Sequence, residues 1–137
     1  VQHDVDTTAV GDPIGLVSTV NQVVFPTWQP ERCVSLLKEQ GVSAVTGRIA
    51  TGDWFAVKGS RAEWIRDTFS PLLVEMEGGA IAQVCLRNGV RFVSVKSVSD
   101  HLFSEKQAEE YFDFGQALDA LGRVVLPLAQ SLAQEFC

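Results

Sequence analysis

Val74-Glu75-Met76-Glu77-Gly78-Gly79-Ala80-Ile81-Ala82 is the stretch that decides the fold, read together with Ser99-Asp100 after the apolar run Phe92-Val93-Ser94-Val95-Lys96-Ser97-Val98. Each piece reads as the end of a buried strand that carries a carboxylate into the next element. In open α/β proteins, ligands bind in the crevices beyond the carboxyl ends of such strands. A carboxylate placed there is costly to bury unless it is paired, hydrogen-bonded or used.

Working outward, the rest of the chain alternates helix and strand patterns. The first thirty residues hold Gly11, Pro13, Gly15, Pro26 and Pro30, which predicts loop with short extended pieces such as Gln22 to Phe25. Pro30 suits the first turn of a helix to about Gln40, stopped by Gly41, with Cys33, Val34, Leu36 and Leu37 as its apolar face. Ser43 to Ala50 reads as a strand leading into the Thr51-Gly52-Asp53 turn. Ser60 with Glu63 forms a capping box for a helix that carries Trp64 and Ile65 and ends before Pro71.

Leu72 to Met76 then reads as a buried strand. A helix from about Gly78 to Asn88 follows, with Ile81, Val84 and Cys85 at helical spacing and Gly89 as its stop. Arg91 to Val98 is rich in β-branched residues and reads as a strand. From about Glu105, the stripe Tyr111, Phe114, Leu118, Leu121, Val125, Leu128 and Leu132 predicts an amphipathic helix, kinked or broken at Pro127. The class is α/β with at least three strands. A sheet of that size, taken alone, has long unpaired edges and needs further strands to flank it.

The 137 residues, 46% hydrophobic, suffice for one core, and no low-complexity tract or charge block suggests disorder. No apolar run approaches the roughly 18 residues of a membrane span, and no signal-peptide pattern opens this piece. Net charge is −6 with eleven scattered basic residues, which argues against nucleic acid as a partner and leaves a small neutral or zwitterionic ligand. Cys33, Cys85 and Cys137 are an odd set without metal-like spacing, read as structural thiols in a reducing cytoplasm.

Four segments, in order, resemble the nucleoside phosphorylase and nucleosidase family. His3-Asp4-Val5-Asp6-Thr7-Thr8-Ala9-Val10-Gly11 is similar to the family's H-D-x-D-x-T-A-F-G, and Thr51-Gly52-Asp53-Trp54-Phe55 to its S-G-D-x-F turn. The Val74-to-Ala82 stretch and Ser99-Asp100 match its ribose and purine segments. The nearest branch hydrolyses 5′-methylthioadenosine and S-adenosylhomocysteine, releasing adenine. The resemblance implies a three-layer α/β/α fold with a central mixed sheet, of which residues 1–137 are the C-terminal part of a single domain. The N-terminal half is then a partner, as a separate or cleaved chain, and it carries the glutamate that positions the attacking water. Whether this is a fragment, a proteolytic product or a split subunit stays open.

Cleavage of an N-glycosidic bond through an oxocarbenium-like transition state asks for three things. They are an acid near the purine, acceptors around the ribose hydroxyls, and a nucleophile on the opposite sugar face. The resemblance assigns Asp100 as the acid toward purine N7, with Ser99 orienting it, and an apolar setting would favour its protonated form. Glu77 accepts from the ribose hydroxyls, Met76 lies beneath the sugar, and Glu75 makes either a salt bridge or a ligand contact. Phe55 stacks on the purine while the backbone of Ala56 reads its edge. Thr7 and Val10 lie in a loop that crosses a homodimer interface and walls the neighbouring 5′ pocket.

No cofactor or metal is implied. From residue type alone, Asp100 also reads as a helix cap, Glu77 as a first-turn acid, and Met76 and Phe55 as core. The chain departs from the family pattern at Val10, usually phenylalanine, at Asp12 or Pro13, usually tyrosine, and at Lys96, often arginine. Asp100-His101 also reads like the phosphorylase version of the motif. The alternatives are therefore a purine nucleoside phosphorylase and a degenerate, non-catalytic nucleoside-binding or assembly protein.

Overall fold

The computed structural model describes residues 1–103 and 114–136. In chain order its elements are a 3-10 turn at Thr8–Val10, α1 (Pro30–Glu39), β1 (Ile49–Thr51), α2 (Ser60–Phe69), β2 (Leu73–Glu75), α3 (Gly78–Arg87) and α4 (Phe114–Phe136). They fall into two units. The first comprises Val1–Trp28 and Gly47–Ser94, the second Gln29–Thr46 and Val95–Cys137.

In the first unit β1 and β2 pair in parallel, with Ile49 opposite Leu73, Ala50 opposite Val74 and Thr51 opposite Glu75. Parallel neighbours cannot be joined by a tight hairpin, and α2 supplies the crossover. On the other edge of β1, Gln2 makes a parallel bridge to Thr51. There the His3 N–H donates to the Thr51 carbonyl at 2.9 Å, and the Thr51 N–H to the Val1 carbonyl at 2.9 Å. Val1, Ala50, Ile65 and Phe69 form a core against which Ile14, Val23, Trp54 and Val74 pack. A second cluster gathers Val17, Phe25 and Ala82 with Val5, Val20 and Phe92.

In the second unit α1 begins with Pro30 in its first turn and buries Cys33, Leu36 and Leu37, as the sequence predicts. It packs against α4, whose Leu128 is buried. Burial pushes the Cys33 thiol up, which suits an inert packing role. The exposed Arg32 guanidinium donates to Glu135, with Nε to Oε2 at 2.9 Å, and also reaches Glu39.

Several expectations are corrected. The strand expected over Ser43–Ala50 is confined to Ile49–Thr51, whose register partners are Leu73, Val74 and Glu75. The buried strand expected over Leu72–Met76 shortens to a half-buried Leu73–Glu75, with Leu72 and Met76 exposed. Arg91–Val98 forms no strand. The Phe92 carbonyl accepts from the Trp28 N–H at 2.7 Å, and β-branched composition cannot replace a ladder partner.

In α2 the capping box is not formed. Gly59 occupies the N-cap, Ser60 is already helical, and no side chain caps the turn. In α3 the buried face is Gly78, Gly79 and Ala82, while the predicted stripe residues Ile81 and Val84 face solvent. The helix α4 runs through Pro127 without a break. The stretch from Glu105 to Asp113, including Tyr111, and Cys137 lie outside the described residues. Among the described residues no helix is long and apolar enough to cross a membrane.

Candidate functional site

Because β1 and β2 run parallel in register, their carboxyl ends emerge along one edge of the first unit. The Thr51-Gly52-Asp53 turn leaves one end, and Met76-Glu77 leaves the other to start α3. Three of the four motif segments meet at this edge. The Asp53 N–H donates to Asp4 Oδ2 at 2.8 Å, and the Gly52 N–H donates to the Glu75 carbonyl at 3.2 Å.

The junction between the strand ends is fastened by side chains. The buried Thr51 hydroxyl donates to Glu75 Oε1 and accepts from the Gly79 N–H at 2.9 Å. The Glu75 carboxylate also accepts from the Gly78 N–H, at 2.7 Å to Oε2 and 3.0 Å to Oε1, and from the Glu77 N–H at 3.2 Å. These N–H groups open α3 and have no intrahelical acceptor, so an anionic oxygen at this point is stabilised.

Glu77 itself occupies the N-cap of α3 with φ −130° and ψ −34°, yet makes no side-chain cap bond and is exposed. Met76 is exposed beside it, and Phe55 is 65% exposed beyond the β1 turn, with Ala56 half-buried. Neither side chain is packed into the two hydrophobic clusters of the first unit. Thr7 precedes the 3-10 turn and Val10 ends it, 80% exposed. Asp6 Oδ1 accepts from the Thr8 N–H at 3.0 Å and the Thr8 hydroxyl at 2.7 Å, which shapes that loop.

Ser99 and Asp100 belong to the second unit, Ser99 half-buried and Asp100 exposed. Among the described residues the apolar setting expected around Asp100 is not provided: Val98 before it and His101 after it are exposed as well.

His3 is the residue whose importance sequence reasoning missed. Only 2% of it is exposed, its ring lies edge-on to Trp54 at 6.2 Å, and neither ring nitrogen has a hydrogen-bond partner among the described residues. Its signal was the fit to the H-D-x-D pattern, which carries no information about burial. Burial pushes the His3 pKa below its ordinary 6.5; Asp4 opposes that shift, and Arg61, stacked over Trp54, adds to it. The unfolded chain then binds a proton near pH 6.5 that the folded chain refuses, so this contribution to stability is complete above that pH. It is lost as pH falls through the lower folded value. The urea midpoint is expected to drop as pH is lowered below about 6.5, and His3→Phe to flatten that drop; an equal slope in both proteins overturns the assignment.

The phosphorylase superfamily profile matches residues 1–130. A 5′-methylthioadenosine/S-adenosylhomocysteine nucleosidase of Geobacillus kaustophilus is 42% identical over 106 residues, covering 73% of this chain and 44% of the relative. Among solved structures, a Francisella philomiragia protein described as a candidate nucleosidase of the same kind superposes with a TM-score of 0.83 at 28% identity, covering 95% of this chain and 57% of that one. A Helicobacter pylori futalosine hydrolase mutant superposes at 0.82 with 26% identity, covering 96% and 58%. The chain spans about half the length of the curated relatives it matches. Its fold is that of the nucleoside phosphorylases.

Proposed function

This chain belongs to the phosphorylase superfamily, and we propose on that footing that it supplies the purine- and ribose-recognising part of a nucleosidase. The proposed reaction is hydrolysis of the N-glycosidic bond of 5′-methylthioadenosine or S-adenosylhomocysteine, with release of adenine. The likeness to the Geobacillus nucleosidase carries the reaction class. The observation that carries the site is Glu77, exposed and uncapped at the edge where β1 and β2 end.

In this reading Glu77 accepts from both ribose hydroxyls, a task suited to a carboxylate with two oxygens free. Met76 offers the sugar a soft apolar surface, Phe55 stacks on the purine, and the Ala56 backbone reads the purine edge. Asp100, oriented by Ser99, delivers its proton to N7, so the departing adenine carries no net negative charge while positive charge grows on the ribose. Water attacks the opposite face of the sugar, activated by a glutamate on further polypeptide that completes the domain. The exposed Ile81 and Val84 of α3 support a need for such completion, because a helix face of that kind is ordinarily covered. A second copy would place the Thr7–Val10 loop beside the neighbour's 5′ pocket, and no cofactor takes part.

The likeness to a futalosine hydrolase leaves the 5′ group to the substrate profile, and Val10, in place of phenylalanine, bears on the same choice. The test is native mass beside denaturing mass, followed by adenine release with and without phosphate. A native particle that holds further polypeptide and releases adenine without phosphate is the expected result. Strict dependence on phosphate moves the assignment to a phosphorylase. Nucleoside binding without turnover in a complete particle moves it to a non-catalytic binding protein.

A further inference from the structure

The first turn of a helix leaves backbone N–H groups that the N-cap side chain ordinarily accepts from. In α3 the N-cap is Glu77, and its side chain accepts none of them. The work is done from two other places. Glu75, two residues upstream, accepts from the Glu77 and Gly78 N–H groups, and Thr51, at the end of β1, accepts from the Gly79 N–H. The Thr51 hydroxyl also donates to Glu75, so its two hydrogen-bonding roles tie both acceptors into one unit.

We infer that Thr51 and Glu75 are positioning residues that take over the capping of α3 and so leave the Glu77 carboxylate free and aimed for the ribose hydroxyls. The inference rests on the nucleosidase reading above. Its geometry is tight: a methyl on Gly79 would lie 2.9 Å from Thr51 Cβ, and one on Gly78 would lie 3.1 Å from each Glu75 carboxylate oxygen. The pair of glycines is what lets both acceptors approach the helix start. The fastening also spans the sheet, since Thr51 and Glu75 are register partners on neighbouring strands. The backbone at Glu77 is thereby held to the strand end that carries the Thr51-Gly52-Asp53 turn and, beyond it, Phe55.

Thr51→Val keeps the shape of the side chain and removes the hydroxyl; Thr51→Ser keeps the hydroxyl. In the complete native particle, Thr51→Val is expected to raise the KM for 5′-methylthioadenosine about tenfold with a smaller change in kcat. Thr51→Ser is expected to stay within about twofold of wild type. An analogue lacking both ribose hydroxyls separates positioning from general loosening. Against it Thr51→Val and wild type are expected to bind alike, as is Glu77→Gln, because the contact being aimed is absent.

Hydrogen exchange gives a readout independent of turnover, with the Gly79 amide expected to exchange roughly tenfold faster in Thr51→Val. Equal losses on both ligands, or unchanged Gly79 exchange in a particle that still binds nucleoside, overturn the inference alone. A wild-type particle that neither binds nor cleaves the nucleoside overturns the nucleosidase reading and this inference together.

Discussion

Asp100→Asn is expected to lower adenine release about a thousandfold while nucleoside affinity stays within a few-fold. The substitution is nearly isosteric, and an amide still offers a hydrogen atom to purine N7. What it cannot do is transfer a proton as the glycosidic bond breaks, and general acids of this kind contribute roughly a hundredfold to ten-thousandfold. Asp100 is exposed in this chain. Single-turnover adenine release, with calorimetric binding of a non-cleaved nucleoside analogue, reads both quantities. Turnover at the wild-type rate removes Asp100 from the acid role. A parallel loss of affinity makes it a binding residue.

The largest stability effect is expected at Gly52. A methyl there would sit 2.4 Å from His3 Cε1 and 2.5 Å from Nε2, closer than carbon atoms in proteins approach. The imidazole has little room to withdraw, because it is buried and meets Trp54 edge-on. Overpacking of a filled site costs on the order of 3 kcal/mol when the neighbour is hemmed in. Gly52→Ala should lower stability by about that amount, read from the urea midpoint. Adding His3→Ala should return part of the loss, because the clash partner is gone. A Gly52→Ala protein as stable as wild type would mean that the turn relaxes freely, and that the close approach does not hold the two motifs together.

Both effects arise at residues whose identity was plain in the sequence and whose surroundings were not. The Thr51-Gly52-Asp53 turn and the His3-to-Gly11 segment are recognisable as words, yet nothing in either reveals that the His3 ring fills the space above Gly52. Glu77 was read as a ribose acceptor or as a first-turn acid of α3. It stands one residue before the first turn, at the N-cap, and the capping is done by Glu75 and Thr51. Glu75, read as a salt-bridge or ligand residue, accepts from backbone N–H groups and a hydroxyl.

The sequence by itself determined the helices to within a residue or two at most ends, α1 from Pro30, α2 up to Phe69 and α3 from Gly78. Helical hydrogen bonds close over four residues, so the information for them lies within the segment. Tertiary structure alone decided the strands: Ile49–Thr51 and Leu73–Glu75 are as long as their pairing permits, and Arg91–Val98, with equal β propensity, finds no ladder among the described residues. It also decided which face of α3 is buried, because the close approach of Gly79 to Thr51 turns the small residues inward and leaves Ile81 and Val84 outside. A strand and a packed face are defined by partners distant in the chain, and a residue's own neighbours in sequence carry no record of what will meet it across that distance.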